Sequence, residues 1–315
     1  MTATVPHMIR DGGTLVHAAL LYRHPDQLRV TLEEFVRDAG RAGEPCLVAM
    51  PGAHLVEVGD ALSPAGATVR IEDMATAGRN PWRLIPMLCD WIDAQDGPAR
   101  VVSEVIWPER SAAETAECLR HEAVLNIALA ERDVSVLCPY DAAHLAPDVL
   151  EGAELTHPHL IDELGVRPSL AYADPVEVAR GERWPPAEPP SPVSELPFDG
   201  DLGRLRHALA SDPLLADLDP GRRADLVLAV DEAASNAVKH GDGVARARVW
   251  RDGDEVIGEV ATATAIEDPL AGLRTPRPDD VDGRGLWLIH QLCDLVEIRS
   301  DGGGARLRMH VGGSG

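Results

Sequence analysis

Six prolines fall within "WPPAEPPSPVSELP", residues 184–197. Pro185, Pro186, Pro189, Pro190, Pro192 and Pro197 each fix φ near −65° and remove a backbone donor, so neither a helix interior nor a central strand runs through them. Such a stretch favours an extended, semi-stiff linker. It divides the 315 residues into a first domain at 1–180, a linker at 181–197 and a second domain at 198–315. Two domains is also what the length predicts.

The cores must be aliphatic, because 45% of residues are hydrophobic but only 3% are aromatic. A net charge of −23 repels phosphate backbones, which argues against direct nucleic-acid binding and leaves a basic protein surface as a fitting partner. Cys46, Cys89, Cys118, Cys138 and Cys293 are odd in number and widely spaced, with no C-x-x-C pair. They read as reduced core thiols of a cytoplasmic protein. No apolar run approaches eighteen residues, and "MTATVPHMIRDGG" lacks a signal-peptide core, so no membrane association is expected.

The first domain alternates strand and helix patterns. Strands are expected at 45–50, 67–73, 99–108 and 134–141. Helices are expected at 83–95, interrupted by Pro86, and at 111–132, opened by a Ser111–Glu114 capping box. This order predicts an α/β fold with a mostly parallel, helix-covered sheet. Ligands of such sheets sit beyond the carboxyl ends of strands. Glu104 and Trp107 follow one strand end; Cys138, Tyr140 and Asp141 follow another; Glu122 and Asn126 lie one turn apart on the helix between. These seven are the candidate lining of a pocket for an unknown small-molecule signal. His157-Pro158-His159 has metal-ligand residue types, but no third ligand neighbours it in sequence, and the pair reads as loop histidines.

The second domain reads as helix 201–211, helix 221–240, hairpin 245–262, loop 267–282, helix 283–294 and hairpin 295–311. That order predicts an antiparallel or mixed sheet with helices on one face. Within "LAVDEAASNAVKHG" (228–241), Glu232, Asn236 and His240 recur every four residues and form one polar stripe. Leu226, Val230, Ala233 and Ala237 form the apolar face. Fifty residues on, "GRGL" (283–286) opens a helix with free backbone N–H groups, which is a seat for an anion. An amide able to hold hydrated Mg²⁺ and a phosphate seat together read as a nucleotide pocket.

These motifs carry a resemblance. Residues 198–312 resemble the GHKL (Bergerat) ATPase superfamily, an α+β sandwich, and more closely the anti-sigma-factor serine kinases common in actinobacteria. "DEAASNAVKHG" is similar to the family's N box, and "DGRGLWLIHQLCDLVEIRS" to its second glycine box. The resemblance implies Mg-ATP as cofactor, Asn236 as Mg²⁺ ligand and Glu232 as the base that deprotonates a serine. It implies Gly283, Arg284, Gly285 and Leu286 around the phosphates, with His240 on the same stripe and loop 267–282 as the lid. It also implies a sigma factor and a STAS-type anti-anti-sigma protein as partners, and a homodimer through this domain.

One departure is chemical. "EVATATAIEDPL" has Thr262 where the family carries the adenine-binding Asp, and Thr264 where it carries a Gly. Losing a charged hydrogen bond costs about 1.5–3 kcal/mol, roughly ten- to a hundredfold in affinity. Ala305, in "GGGARLRM", also replaces a common Thr of the third glycine box.

The first domain resembles the MEDS sensory domain, related to RecA- and KaiC-like folds. "HAALLYRHPDQL", "GEPCLVAMPGAHLVEV", "VVSEVIWPERS", "HEAVLNIALAERDVSVLCPYD" and "LTHPHLIDE" carry the likeness, in order. The stretch after the first expected strand, "MPGAHLVE", has no P-loop lysine or Ser/Thr. The expectation is thus a sensory regulator of the anti-sigma-factor type. Two other readings stay open: a pseudokinase that only binds protein, and a histidine-kinase-like signalling subunit.

Overall fold

The computed structural model describes residues 15–62, 68–74, 78–240, 245–277, 283–301 and 303–312, without the side chains of His240, Ala245 and Asp301. The chain separates into two compact units, 1–179 and 180–315.

The first unit holds strands β1 (Leu15–Tyr22), β2 (Cys46–Met50), β3 (Val69–Asp73), β4 (Ala99–Ser103), β5 (Val134–Asp141), β6 (His159–Asp162) and β7 (Gly165–Pro168). They form one sheet in the order β3-β2-β4-β5-β1-β6-β7. All described pairings are parallel except β6 with β7. The helices are α1 (Pro25–Ala42), α2 (Gly52–Val58), α3 (Leu84–Asp93), α4 (Ala112–Ala128), α5 (Pro147–Thr156) and α6 (Pro175–Ala179).

Local chemistry sets several boundaries. Ser111 Oγ accepts from the Glu114 N–H at 3.2 Å, and Glu114 Oε2 accepts from the Ser111 N–H at 2.8 Å, closing the expected capping box of α4. Pro86 lies in the first turn of α3, where its missing N–H has no intrahelical partner to lose, so the helix runs through it. The strand expected at 99–108 stops at Ser103, and the helix expected to 132 ends at Ala128. β1 and α1 precede the strand expected to be first, which is β2. β1 leads through Arg23 and His24 into α1, again with no glycine-lysine phosphate loop.

The strands' two faces differ. Ala18, Leu20 and Tyr22 of β1 pack with Leu28, Leu32, Phe35 and Val36 of α1 in an apolar core. Alternation turns His17 and Ala19 to the other face.

The second unit contains β8 (Val193–Leu196), α7 (Leu202–Ala210), α8 (Pro220–His240), β9 (Ala245–Asp252), β10 (Glu255–Thr262), α9 (Arg284–Leu292), β11 (Leu295–Asp301) and β12 (Gly304–Gly312). The sheet order is β11-β12-β10-β9-β8, antiparallel throughout and not mixed. β8 lies inside the stretch expected as linker and pairs with β9 at its edge, where a strand next to proline is tolerated. The carbonyls of Trp184 and Ala187 accept from Arg299 (2.8 Å) and Arg308 (2.6 Å), so those residues also belong to this unit.

α8 packs on one face of this sheet. Leu226, Val230, Ala233 and Ala237 are all buried, as the apolar stripe predicts. A Cβ on Gly258 of β10 would lie 2.7 Å from Val230 Cγ2, so the helix rests directly on the strand. The opposite face carries buried charge. Glu259 accepts from Arg248 (2.6 Å) and Arg308 (2.8 Å), and His310 lies between Glu255 (3.1 Å) and Glu297 (2.9 Å).

Candidate functional site

The polar stripe of α8 meets the start of α9. Glu232 and Asn236 are half-buried on adjacent turns. A Cβ on Gly285 would lie 2.9 Å from Glu232 Oε2, 3.1 Å from Asn236 Nδ2 and 3.3 Å from Asn236 Oδ1. Only a glycine admits this approach without pushing both side chains aside. Gly283 precedes it as N-cap at φ 87°, a left-handed conformation that favours glycine, and has no side chain of its own to cap the helix. Carboxylate, amide and helix N-terminus therefore converge.

The described part of loop 267–282 crosses this helix start. A Cβ on Gly272 would lie 2.6 Å from Leu286 Cβ, and Arg284 donates to the Arg277 carbonyl at 3.0 Å. Residues 278–282 of the expected lid, and the side chain of His240, lie outside the described set. Thr262 ends β10, and its hydroxyl accepts from the Thr264 N–H at 3.3 Å, so the residue expected at the adenine position serves its own turn. A cavity of about 440 Å³ in this unit is lined by Thr262, Arg299, Arg306 and Pro185, but not by Glu232 or Asn236.

The seven candidate pocket residues of the first unit fall into separate places. Glu104, just beyond β4, is fully buried and bonds His54 Nδ1 at 2.8 Å. Burial raises its pKa despite the histidine, and burial together with the Glu104 carboxylate drives that of Tyr22 up as well. Asp141 adds to both shifts but spends its carboxylate on a turn, accepting from the Ala143 N–H at 3.0 Å and pairing with His144 at 2.8 Å. Trp107 joins neither group; the Arg110 guanidinium stacks on its ring at 3.8 Å.

Glu122, Asn126, Cys138 and Tyr140 lie together in the interior, on the sheet face turned away from α1. For Glu122, a surface pairing with Arg120 or Arg132 is the alternative that the sequence leaves open. Its side chain is instead fully buried, and Arg120 bonds Glu117 at 2.6 Å. Around Glu122 stand His17 of β1, Cys138 of β5 and His157, which follows α5; each is 0–1% exposed. His157 stands in the connection between α5 and β6, as expected, but is fully buried in the core, whereas His159 begins β6. Among the described residues, Glu122 Oε1, His157 Nε2 and the Tyr140 hydroxyl have no hydrogen-bond partner. Each such group costs about 1–3 kcal/mol when buried.

Residues 16–158 match the MEDS family, the methanogen/methylotroph, DcmR sensory domain. Residues 199–311 match the histidine kinase-like ATPase domain. The chain joins a MEDS domain to a histidine kinase-like ATPase domain. That pairing makes it a signalling regulator. No curated protein matches the chain. Among the described residues no helix is long and apolar enough to cross a membrane.

The ATPase family implies ATP, usually with Mg²⁺. The phosphate end of the ATPase domain fits that group. Gly285 lets the start of α9, whose N–H groups can face phosphate oxygens, approach Asn236 and Glu232, and these offer the hard oxygen donors Mg²⁺ takes. The adenine end fits less well, because Thr262 is uncharged and turned to Thr264. In the MEDS domain, sequence reasoning missed His17, His54 and His157 as site residues. The signal was a histidine inside the apolar run "LVHAALLY", since a strand buried on both faces keeps a polar side chain only with a partner.

Proposed function

We propose that the chain is a sensory regulator of the anti-sigma-factor type, in which the MEDS domain takes the signal and the ATPase domain engages a sigma factor or a STAS-type antagonist. The observation that carries the nucleotide part is the contact of Gly285 with Glu232 and Asn236. Asn236 would hold Mg²⁺, and the backbone N–H groups at the start of α9 would hold phosphate oxygens. Bound Mg-ATP supplies an activated phosphoryl group. Glu232 is the residue suited to accept a proton from a serine hydroxyl, its carboxylate held half-buried by α8.

A second reading has its own support. The Thr262 hydroxyl bonded to the Thr264 N–H fits a domain that keeps the fold as a protein-binding surface and uses ATP weakly. Calorimetric titration of the full chain with Mg-ATP, with Asn236→Ala as control, separates the two. Binding lost in the control supports the kinase site, and radiolabel transfer to a serine of the antagonist then completes it. Binding unchanged in Asn236→Ala removes that residue from the site. No binding at millimolar Mg-ATP leaves the protein-binding reading.

A further inference from the structure

The interior of the MEDS domain holds four metal-ligand side chains from four different elements. His17 Nε2 lies 3.2 Å from Glu122 Oε2 and 3.4 Å from Cys138 Sγ. Cys138 Sγ and His157 Nε2 each lie 3.5 Å from Glu122 Oε2. All four donor atoms fall within 4.8 Å of one another. A tetrahedral ion with bonds of about 2.0–2.3 Å sets its donors roughly 3.3–3.6 Å apart. Three of these four separations fall in that range and the His17–Glu122 separation of 3.2 Å lies just under it; the remaining two are at most 4.8 Å.

The hydrogen bonds behind these residues orient them. Both N–H groups of the Asn126 amide are committed, to the carbonyls of Glu122 (2.9 Å) and Thr156 (2.8 Å). Its Oδ1 is left to accept, so the His17 Nδ1–H donates to it at 3.0 Å. His157 Nδ1 faces the Ala153 carbonyl at 2.9 Å and donates there. In both rings Nε2 is therefore the nitrogen turned toward Glu122 and Cys138. This is the outer-shell arrangement that fixes ligating histidines.

We propose that His17 Nε2, Glu122 Oε2, Cys138 Sγ and His157 Nε2 bind one divalent transition-metal ion, of which Zn²⁺ suits the donor set best. Two imidazoles, a thiolate and a carboxylate are too soft a set for Mg²⁺ or Ca²⁺. A single proton between His17 and Glu122 satisfies one contact and leaves His157 Nε2, 3.5 Å from Glu122 Oε2, and Glu122 Oε1 without a hydrogen bond among the described residues. One cation serves all four ligands. Binding forms the metal–sulfur bond as the Cys138 thiol proton leaves to solvent, and the proton between His17 Nε2 and Glu122 Oε2 leaves with it, so uptake of each ion releases two protons. The closed, buried ligand set ties β1, β5, α4 and the end of α5 together.

The test uses the full chain, stripped with a chelator and titrated with Co²⁺. The expected result is a thiolate-to-cobalt charge-transfer band saturating at one ion per chain, bleached by one equivalent of Zn²⁺ and absent in Cys138→Ser. His17→Gln and His157→Gln should each weaken Co²⁺ binding at least tenfold. No charge-transfer band in the natural chain overturns the proposal, and so does a band that survives Cys138→Ser. X-ray absorption of the zinc-loaded natural chain needs no variant to fold: one sulfur among light-atom ligands is expected, and a shell without sulfur overturns the assignment.

Discussion

Gly285→Ala separates folding from nucleotide binding in one substitution. Gly285 is the second residue of α9, and Ala is favoured over Gly in a helix by up to about 1 kcal/mol. The added Cβ would lie 2.9 Å from Glu232 Oε2 and 3.1 Å from Asn236 Nδ2. Both are the ends of flexible, half-buried side chains that can swing away, so the clash costs little stability. The melting temperature should hold or rise by a few degrees. Nucleotide binding should move the other way. Displacing the Asn236 amide and filling the phosphate cradle removes at least one charge-assisted hydrogen bond, about 1.5–3 kcal/mol, or ten- to a hundredfold in affinity. The assay is differential scanning fluorimetry beside Mg-ATP calorimetry, run in the natural chain and in a Thr262→Asp background. Unchanged affinity in both backgrounds would refute the placement of phosphate at the start of α9. A large fall in melting temperature would instead mean that Glu232 and Asn236 are held rigidly by the fold.

Further outcomes follow from other contacts. Thr262→Asp should tighten Mg-ATP roughly ten- to a hundredfold by restoring a charged acceptor, as read by calorimetry. Glu259→Leu should destabilise the ATPase domain by about 3–5 kcal/mol, because Arg308, 4% exposed, and Arg248 lose their carboxylate; denaturant titration measures it. Burial opposes charge on His310, yet the carboxylates of Glu255 and Glu297 outweigh it and raise its pKa from 6.5 to about 9. The folded pKa is the higher one, so this stabilisation is full below the unfolded value of 6.5 and is lost as pH rises through about 9. Denaturant midpoints should therefore fall across that window, and His310→Gln should flatten the fall. Gly258→Ala should cost about 1–3 kcal/mol, since its Cβ would meet Val230 Cγ2 at 2.7 Å in a packed core; chemical denaturation reads this directly.

The stripe on α8 was legible because a helix puts every fourth residue on one face, and that rule needs no tertiary information. The same holds for the capping box of α4 and for the glycines that open α9. The sequence also puts Thr262 where the family resemblance expects the adenine-binding Asp. It did not show where β8 goes, because whether a proline-flanked strand finds an edge depends on the sheet that offers one.

The interior of the MEDS domain was legible only in part: Glu122, Asn126, Cys138 and Tyr140 were candidate pocket residues, but nothing joined His17 or His157 to them. His17 and His157 stand 140 positions apart by numbering, with Glu122 and Cys138 between them. Spacing along a chain reports neighbours on one element, whereas a parallel sheet with crossover helices brings distant elements together. The residues themselves supplied the ligand types and the helical or strand face each would occupy. Only the packing of α4 and α5 against β1 and β5 decided that four of those side chains point at one another inside the core.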